Sequence, residues 1–463
     1  MRKIIEGIKK PNPFLVIALS FLIMIIVGGT LLYMPFSLNN GIKVSYVDSI
    51  FTATTSLCVT GLISVKQGIA DTYSVTGKLI IMLLIQIGGL GVTTFASIFF
   101  LLFMKKMDIT HQNLIKESWS LTSYKEIRKV FYQIIILTFS IEFVGGILST
   151  LIFYFGYNMN FVDAMFTGFF HSVSSFNNAG IDIIGTTSLI NFNTDWLLLA
   201  LTSILIILGG LGYLVIIETF AKKFKFKRFS LHTKIVLTYT ASLLIVGTLL
   251  IYLSELANST TDINLLNSGF LSVSSRTAGF TSVNLSELGA STLLIIGILM
   301  FIGASSGSTG GGVKTTTFAL FLVYFRSIIT NKTPAIFKRT VSGSLIRRAM
   351  IIILLGITFF VTGFLLVCLF ENNMIFILDG NRIPEYVEGS LIYNGVDYAF
   401  ECMSAFGTVG LSTGITPYLS IGSKITLVAL MYIGRVGPFT LSTMFRSKKT
   451  PLYRYVSEDC NVG

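Results

Sequence analysis

Charge is scarce in this sequence. Asp, Glu, Lys and Arg make up 12% of its 463 residues, about half of what a soluble globular domain carries. That scarcity excludes a soluble enzyme and a disordered, solvated chain. Proline is also rare, at eight residues against 42 glycines, so helices are seldom interrupted while the backbone is freed at many points. The four cysteines, Cys58, Cys368, Cys402 and Cys460, lie far apart with no C-x-x-C, which excludes a disulfide-stapled miniprotein. The three histidines form no H-E-x-x-H, and no hydrolytic triad is visible, so no enzymatic activity is expected. His111 and His232 fall in basic loops and read as solvated, whereas His171 reads as structural. A P-loop is excluded by spacing, because Val313 separates Gly312 from Lys314.

What the chain has instead is apolar length, with 52% hydrophobic residues and a mean hydropathy of +0.78. A bilayer core about 30 Å thick needs roughly 20 apolar residues per helix. Uncharged runs of that size occupy 14–34, 79–104, 196–217, 235–254 and 349–370. Three more contain one ionisable residue each: 130–155 with Glu142, 291–325 with Lys314 and 425–445 with Arg435. Eight spans place both termini on one side. The segments 1–13, 105–129, 222–234, 326–348 and 446–463 carry 26 of the 34 basic residues. The segments within each span pair carry six, including Lys66, Arg276 and Lys424. The positive-inside rule therefore assigns the termini and the basic loops to the cytoplasm. The +12 net charge reports topology; no nucleic-acid partner is expected, only membrane lipid.

The segments inside the pairs resemble one another. Val47-Asp48-Ser49-Ile50-Phe51 leads to Cys58-Val59-Thr60-Gly61-Leu62, and Val162-Asp163-Ala164-Met165-Phe166 to Phe176-Asn177-Asn178-Ala179-Gly180. Ser272-Val273-Ser274-Ser275 leads to Arg276-Thr277-Ala278-Gly279-Phe280, and Val396-Asp397-Tyr398-Ala399-Phe400 to Phe406-Gly407-Thr408-Val409-Gly410-Leu411. The following spans carry Gly88-Gly89, Gly209-Gly210, Gly303 and Gly434, at 27, 29, 24 and 24 residues from the loop glycines. Such spacing marks one unit used four times: helix, short pore-type helix, glycine-bearing extended loop, helix. Irregular backbone at membrane depth must line a cavity or lie against protein. Four such loops around one axis present carbonyl oxygens that replace a cation's hydration shell. Asp48, Asp163 and Asp397 precede the pore helices and read as helix caps or as attractors of cations at the mouth.

On these four motifs the sequence resembles the Trk/Ktr/HKT superfamily of potassium transporters, most closely KtrB-type subunits. The resemblance implies an all-α membrane protein of four M1–P–M2 repeats (14–104, 130–217, 235–325, 349–445) in pseudo-fourfold arrangement around one pore. It implies a K⁺ filter built from Val59, Thr60 and Gly61; Asn178, Ala179 and Gly180; Thr277, Ala278 and Gly279; and Thr408, Val409 and Gly410. Some Na⁺-selective relatives have serine at the first filter position, so Gly61 favours K⁺. Aligned from Ser-Val-Ser-Ser, the second loop is one residue longer than the third, and its carbonyl register stays open.

The sixth span departs from its siblings. Five glycines between 303 and 312 cannot sustain a helix, each costing about 1 kcal/mol relative to alanine. By resemblance, 303–314 is an intramembrane gating loop involving Gly303, Ser305, Ser306, Gly307, Gly310, Gly311, Gly312 and Lys314. An arginine in mid-membrane is costly unless it meets water or a partner. Arg435 reads either as a carbonyl-bound arginine or, by resemblance, as an electrostatic barrier beside that loop. Glu142 reads as a proton relay or as a helix-orienting group. The resemblance further implies a homodimer docked on a cytoplasmic octameric ring of RCK (KtrA/TrkA-type) subunits that bind ATP, ADP or another nucleotide. No cofactor is expected in the chain itself; K⁺ is the transported ion, and Na⁺ as an activator stays open. The expected location is a bacterial plasma membrane. Two rivals are a Na⁺-transporting or Na⁺-coupled relative and an alternating-access solute transporter, the latter disfavoured because the repeats run parallel.

Overall fold

The computed structural model describes residues 13–91, 124–185, 188–258, 263–371, 385–387, 390–392 and 394–437. The terminal segments 1–12 and 438–463, with Cys460, and most of the loop 105–129, with His111, lie outside the described residues.

Almost every described element is a helix. In chain order they are α1 (Pro13–Tyr33), α2 (Tyr46–Cys58), α3 (Val75–Leu90), α4 (Tyr124–Leu151), α5 (Phe161–Phe176), α6 (Trp196–Leu211) and α7 (Tyr213–Ala221). There follow α8 (Leu231–Asn258), α9 (Leu265–Ser274), α10 (Ala290–Phe301), α11 (Thr315–Thr330), α12 (Gly343–Phe370), α13 (Gly395–Gly407) and α14 (Ile421–Val436). Starts are set by side-chain caps that satisfy the first free N–H groups. Ser45 accepts from the Asp48 N–H, Ser74 from Gly77 and Asp195 from Leu197 and Leu198. Asn264, Asn394 and Ser420 do the same for α9, α13 and α14.

Among the described residues, three helices are long and apolar enough to cross a bilayer, over Tyr132–Gly156, Leu231–Ala257 and Gly343–Phe370. Their outward residues, such as Leu253 and Leu256 on α8 and Leu354 and Leu369 on α12, are exposed. Such surface is costly in water and is what a lipid-facing helix requires. The expected continuous span 196–217 is instead the pair α6 and α7, bent by 97°. The break has a backbone cause. Gly212 adopts φ 93°, ψ 139°, a conformation that no helix contains and that side chains disfavour. Gly91 after α3 (φ 80°, ψ 140°) and Gly437 after α14 (φ 92°, ψ 132°) repeat it. The sixth span is therefore not alone in breaking. It is distinguished by the long insertion, residues 302–314, between α10 and α11.

The short helices α2, α5, α9 and α13 lie inside. Their Ser and Thr hydroxyls are buried and mostly turned back to carbonyls one turn earlier, as Thr52 to Asp48 (2.9 Å) and Ser56 to Thr52 (2.6 Å). Each packs against the helix before it in the next segment along: α3 meets α5, α6 meets α9, α10 meets α13, and α14 returns to α2. Within a segment, glycine lets the following helix approach the short one, α3 on α2, α6 on α5 and α14 on α13. A Cβ on Gly88, Gly209 or Gly434 would lie 2.0, 1.8 or 2.0 Å from the carbonyl oxygen of Leu57, Phe176 or Phe406 at the end of a short helix. The closing contact of the ring is tied by an ion pair, Lys424 Nζ to Asp48 Oδ1 at 2.8 Å. Asp48 is thus neutralised within the fold instead of standing free at a mouth.

Candidate ion-coordination site

The short helices end where the four glycine-bearing segments begin. Val59 and Thr408 stop α2 and α13 by entering the left-handed region (φ 56° and 51°), and Asn178 (60°) and Thr277 (80°) do the same after α5 and α9. Two residues further on come Gly61, Gly180, Gly279 and Gly410, with φ of 102°, 64°, 82° and 97°. An L side chain is strained there. Space forbids it as well. A Cβ on Gly61 would lie 2.6 Å from the Ala179 oxygen, on Gly180 2.4 Å from Ala278, on Gly279 2.3 Å from Val409, and on Gly410 2.0 Å from Thr60. The contacts run 61, 180, 279, 410 and back to 61, so the four segments form a closed ring. All twelve residues expected in the filter are brought together, and the eight that precede the glycines are fully buried.

The backbone settles the relative register of the four segments. In three of them a hydroxyl six residues before the glycine anchors the loop by accepting an N–H: Thr55 from Gly61 (2.9 Å), Ser404 from Gly410 (2.9 Å) and Ser174 from Ile181 (3.1 Å). In the third segment Ser274 stands five residues before Gly279, and its hydroxyl donates to the Phe280 carbonyl. The odd loop is the third, one residue short, and not the second.

One side of the ring opens into a cavity of about 880 Å³ that touches all four glycines, with Asp182 and Glu287 on its wall. On the opposite side lies the 302–314 insertion. Gly311 donates its N–H to Thr408 Oγ1 (3.0 Å), and a Cβ on Gly310 would lie 2.1 Å from Thr277 Oγ1. Gly310 and Gly311 thus sit directly against the threonines at the base of two ring segments. The insertion is bound on its flank by the broken fourth span: Ser305 N–H to Gly210 O (3.1 Å), Thr309 N–H to Gly209 O (3.3 Å) and Tyr213 N–H to Gly307 O (3.1 Å). The kink at Gly212 frees the backbone groups that make these bonds.

Among the described residues, two cations reach the Thr309–Gly310 stretch of the insertion. Lys314 donates to the Gly310 carbonyl, and Arg435 donates to the carbonyls of Thr309 and Gly88. Arg435 is therefore carbonyl-bound, and one of its two acceptors lies in the insertion. Glu142 accepts from Asn177 Nδ2 (2.8 Å), which also reaches Gln86 (3.4 Å), and its carbonyl accepts from Ser172 (2.8 Å). Its partners belong to the second ring segment and its helix. His171 contacts Thr202 Oγ1 (2.9 Å) and the Phe280 ring.

Sequence reasoning missed three participants. Arg276, counted with the charges of the segments inside the span pairs, is buried on the loop side of the ring. The Gly209–Tyr213 stretch binds the insertion, and the only sequence signal was its repeated glycines. Glu401 on α13 accepts from Ser412 Oγ (2.6 Å), Thr413 N–H (3.0 Å) and Thr416 Oγ1 (2.6 Å), bracing the chain that leaves the fourth segment. No group of His, Cys, Asp and Glu that would hold a transition metal occurs among the described residues. A ring of close-packed backbone between apolar helices is the apparatus of a membrane protein that handles dehydrated cations.

Comparison with known proteins agrees. The TrkH family, described as a cation transport protein, matches residues 8–456. The potassium/sodium uptake protein NtpJ of Enterococcus hirae is 34% identical over 98% of both chains. The Ktr system potassium uptake protein B of Vibrio alginolyticus is 34% identical over 97% of this chain and 94% of its own. The crystal structure of the potassium transporter TrkH from Vibrio parahaemolyticus superposes with a TM-score of 0.68 at 16% identity, covering 95% of this chain and 87% of that one. The chain belongs to the TrkH family of cation transport proteins.

Proposed function

We propose that this chain is the K⁺-translocating membrane subunit of a Ktr/Trk-type uptake system, with four M1–P–M2 repeats around one pore. The observation that carries the reading is the closed ring of Gly61, Gly180, Gly279 and Gly410 with the 302–314 insertion pressed against its base. Left-handed residues alternating with ordinary extended ones turn successive carbonyls toward the same side of a chain, which suits coordination of an ion stripped of water. No carboxylate stands within the ring segments, as suits a monovalent ion. The cavity at the glycine face is the outer mouth, the insertion is the gate, and Arg435 and Lys314 hold that gate shut and oppose cation passage. The membrane potential drives uptake, about 2.3 kcal/mol per charge per 100 mV. Both termini are cytoplasmic, the chain works as a homodimer in the plasma membrane, and an RCK ring that binds nucleotide regulates it from below.

The test is ⁸⁶Rb⁺ uptake and growth of a K⁺-uptake-deficient bacterium expressing the wild type or Gly61→Ser. The serine Cβ displaces the Ala179 oxygen, 2.6 Å away, so rescue by the wild type and a weakened K⁺/Na⁺ preference in the variant are expected. Rescue with unaltered preference in Gly61→Ser moves selectivity away from the ring. No rescue, with the protein confirmed in the membrane and an RCK partner co-expressed, refutes K⁺ uptake.

A further inference from the structure

We propose that Arg276 is a positioning residue that fastens the neck of the 302–314 insertion to the third ring segment, so that the gate and the coordinating ring move as one coupled unit. The proposal rests on the gating reading above and adds to it a mechanical link.

The guanidinium of Arg276 is buried. Its Nη2 donates to the Thr315 hydroxyl (2.8 Å) and to the Gly303 carbonyl (3.3 Å), and the Thr315 hydroxyl donates in turn to the same Gly303 carbonyl (3.1 Å). Gly303 is where the chain enters the insertion and Thr315 is where it leaves. The two strands of the neck are themselves paired. Ile302 and Val313 form a parallel bridge, Val313 N–H donates to Phe301 O (3.3 Å), and Thr315 N–H donates to Ala304 O (3.2 Å). Arg276 therefore closes a three-way junction at the base of a hinged flap. Gly310 and Gly311, which pack back against Ala304 and Gly303 beside the neck, rest on Thr277 and Thr408.

On its other side Arg276 is covalently next to Thr277, the first residue of the third ring segment. That segment is the one with the odd anchor. The other three are held by an N–H bonded to a hydroxyl on the preceding helix, whereas the third, a residue shorter, is held by the Ser274 hydroxyl donating to the Phe280 carbonyl. Arg276 adds a second restraint from below, because one guanidinium nitrogen, Nη2, reaches two acceptors across the neck, and a lysine ammonium on a flexible stem holds that geometry less firmly. The burial makes the arrangement consequential. A buried charge that loses its acceptors is strongly unfavourable, so any movement of the neck has to carry Arg276, and with it Thr277, along.

The consequence is that loosening the junction raises leak and lowers selectivity together. Arg276→Lys, Arg276→Gln and Thr315→Val are compared with the full-length wild type in proteoliposomes, by ⁸⁶Rb⁺ flux and by K⁺/Na⁺ competition at equal incorporation. A charge-assisted hydrogen bond at a buried site supports an expectation of about tenfold in each readout for Arg276→Gln. Arg276→Lys, which keeps the charge but not the planar guanidinium, is expected to follow Gln in selectivity. Thr315→Val lies outside the ring and removes one acceptor of Arg276 while leaving the charge and the Gly303 carbonyl in place; it is expected to shift both readouts in the same direction by a smaller factor. Raised leak with unchanged K⁺/Na⁺ preference in Arg276→Gln and Thr315→Val overturns the coupling, and so does wild-type behaviour of Arg276→Lys in both readouts. A variant with 305–312 replaced by a shorter linker separates the two levels. If its leak stays at wild-type level, the gate reading fails, whereas the coupling is judged on the selectivity of Arg276→Gln and Thr315→Val.

Discussion

Replacing Arg435 by alanine is the most direct way to ask what keeps the 302–314 insertion in place. Arg435 donates to two carbonyls, but only the one at Thr309 belongs to the insertion; Gly88 sits at the end of α3. Opening the flap breaks the first bond and leaves the second intact. A charged hydrogen bond to a buried acceptor contributes about 1.5–3 kcal/mol, so Arg435→Ala destabilises the closed arrangement by about that amount. The closed-to-open ratio falls roughly tenfold to a hundredfold. The remaining ties are backbone bonds to Gly209, Gly210 and Tyr213, the Gly311 bond to Thr408, and Lys314 on Gly310. They are single, mostly neutral contacts, so the flap is weakened without being lost. Removing the fixed positive charge beneath the ring adds to the effect by lowering the barrier to a cation. Initial ⁸⁶Rb⁺ influx into K⁺-depleted cells, at equal membrane protein and membrane potential, is expected to rise at least severalfold. Arg435→Lys, which keeps charge but reaches one acceptor at a time, should fall between. Influx that is unchanged or reduced in Arg435→Ala refutes both the latch and the barrier.

Two further expectations concern the frame around the site. Asp48→Asn leaves the largely buried Lys424 without its counter-ion at the contact that closes the ring of helices, and thermal unfolding in detergent should begin several degrees lower; Asp48→Asn combined with Lys424→Met should recover part of the loss, because removing both partners is milder than removing one. Glu401→Gln keeps the shape but places an amide NH₂ where one carboxylate oxygen accepts hydroxyls from Ser412 or Thr416, so the chain leaving Gly410 loosens. Reduced K⁺/Na⁺ discrimination with normal membrane insertion is expected, and equal discrimination at equal expression would show that Glu401 does not brace the ring.

Much of the architecture was legible because membrane folding constrains the code so tightly. Apolar runs must satisfy their own backbone as helices, and four similar glycine motifs between such runs announce one arrangement used repeatedly. What the pattern misjudged has particular causes. The run 196–217 is uncharged, and its glycines at 209, 210 and 212 do not say which of them breaks the helix; only the φ of 93° at Gly212 does. The second loop looked long because Ser172-Val173-Ser174-Ser175 and Ser272-Val273-Ser274-Ser275 are identical strings. Yet the hydroxyls of Ser174 and Ser274 make different bonds, and it is the third loop that is short. Arg276 looked like one of the few charges of a segment inside a span pair, since charge counting knows which loop a residue is in but not which way it points.

The sequence by itself determined that the chain is a helical membrane protein, which residues form the ring, and that 303–314 cannot be a helix. These follow from local rules: hydropathy sets span length, and glycine marks where backbone must turn or touch. The tertiary structure alone decided that the ring closes in the order 61, 180, 279, 410, that the broken fourth span grips the insertion, and that Arg435 and Arg276 meet it from opposite attachments. Those are contacts of backbone carbonyls with backbone or arginine groups more than 25 residues away in the chain. A carbonyl has no signature in the sequence, since every residue carries one. Which one an arginine finds depends only on where packing delivers it.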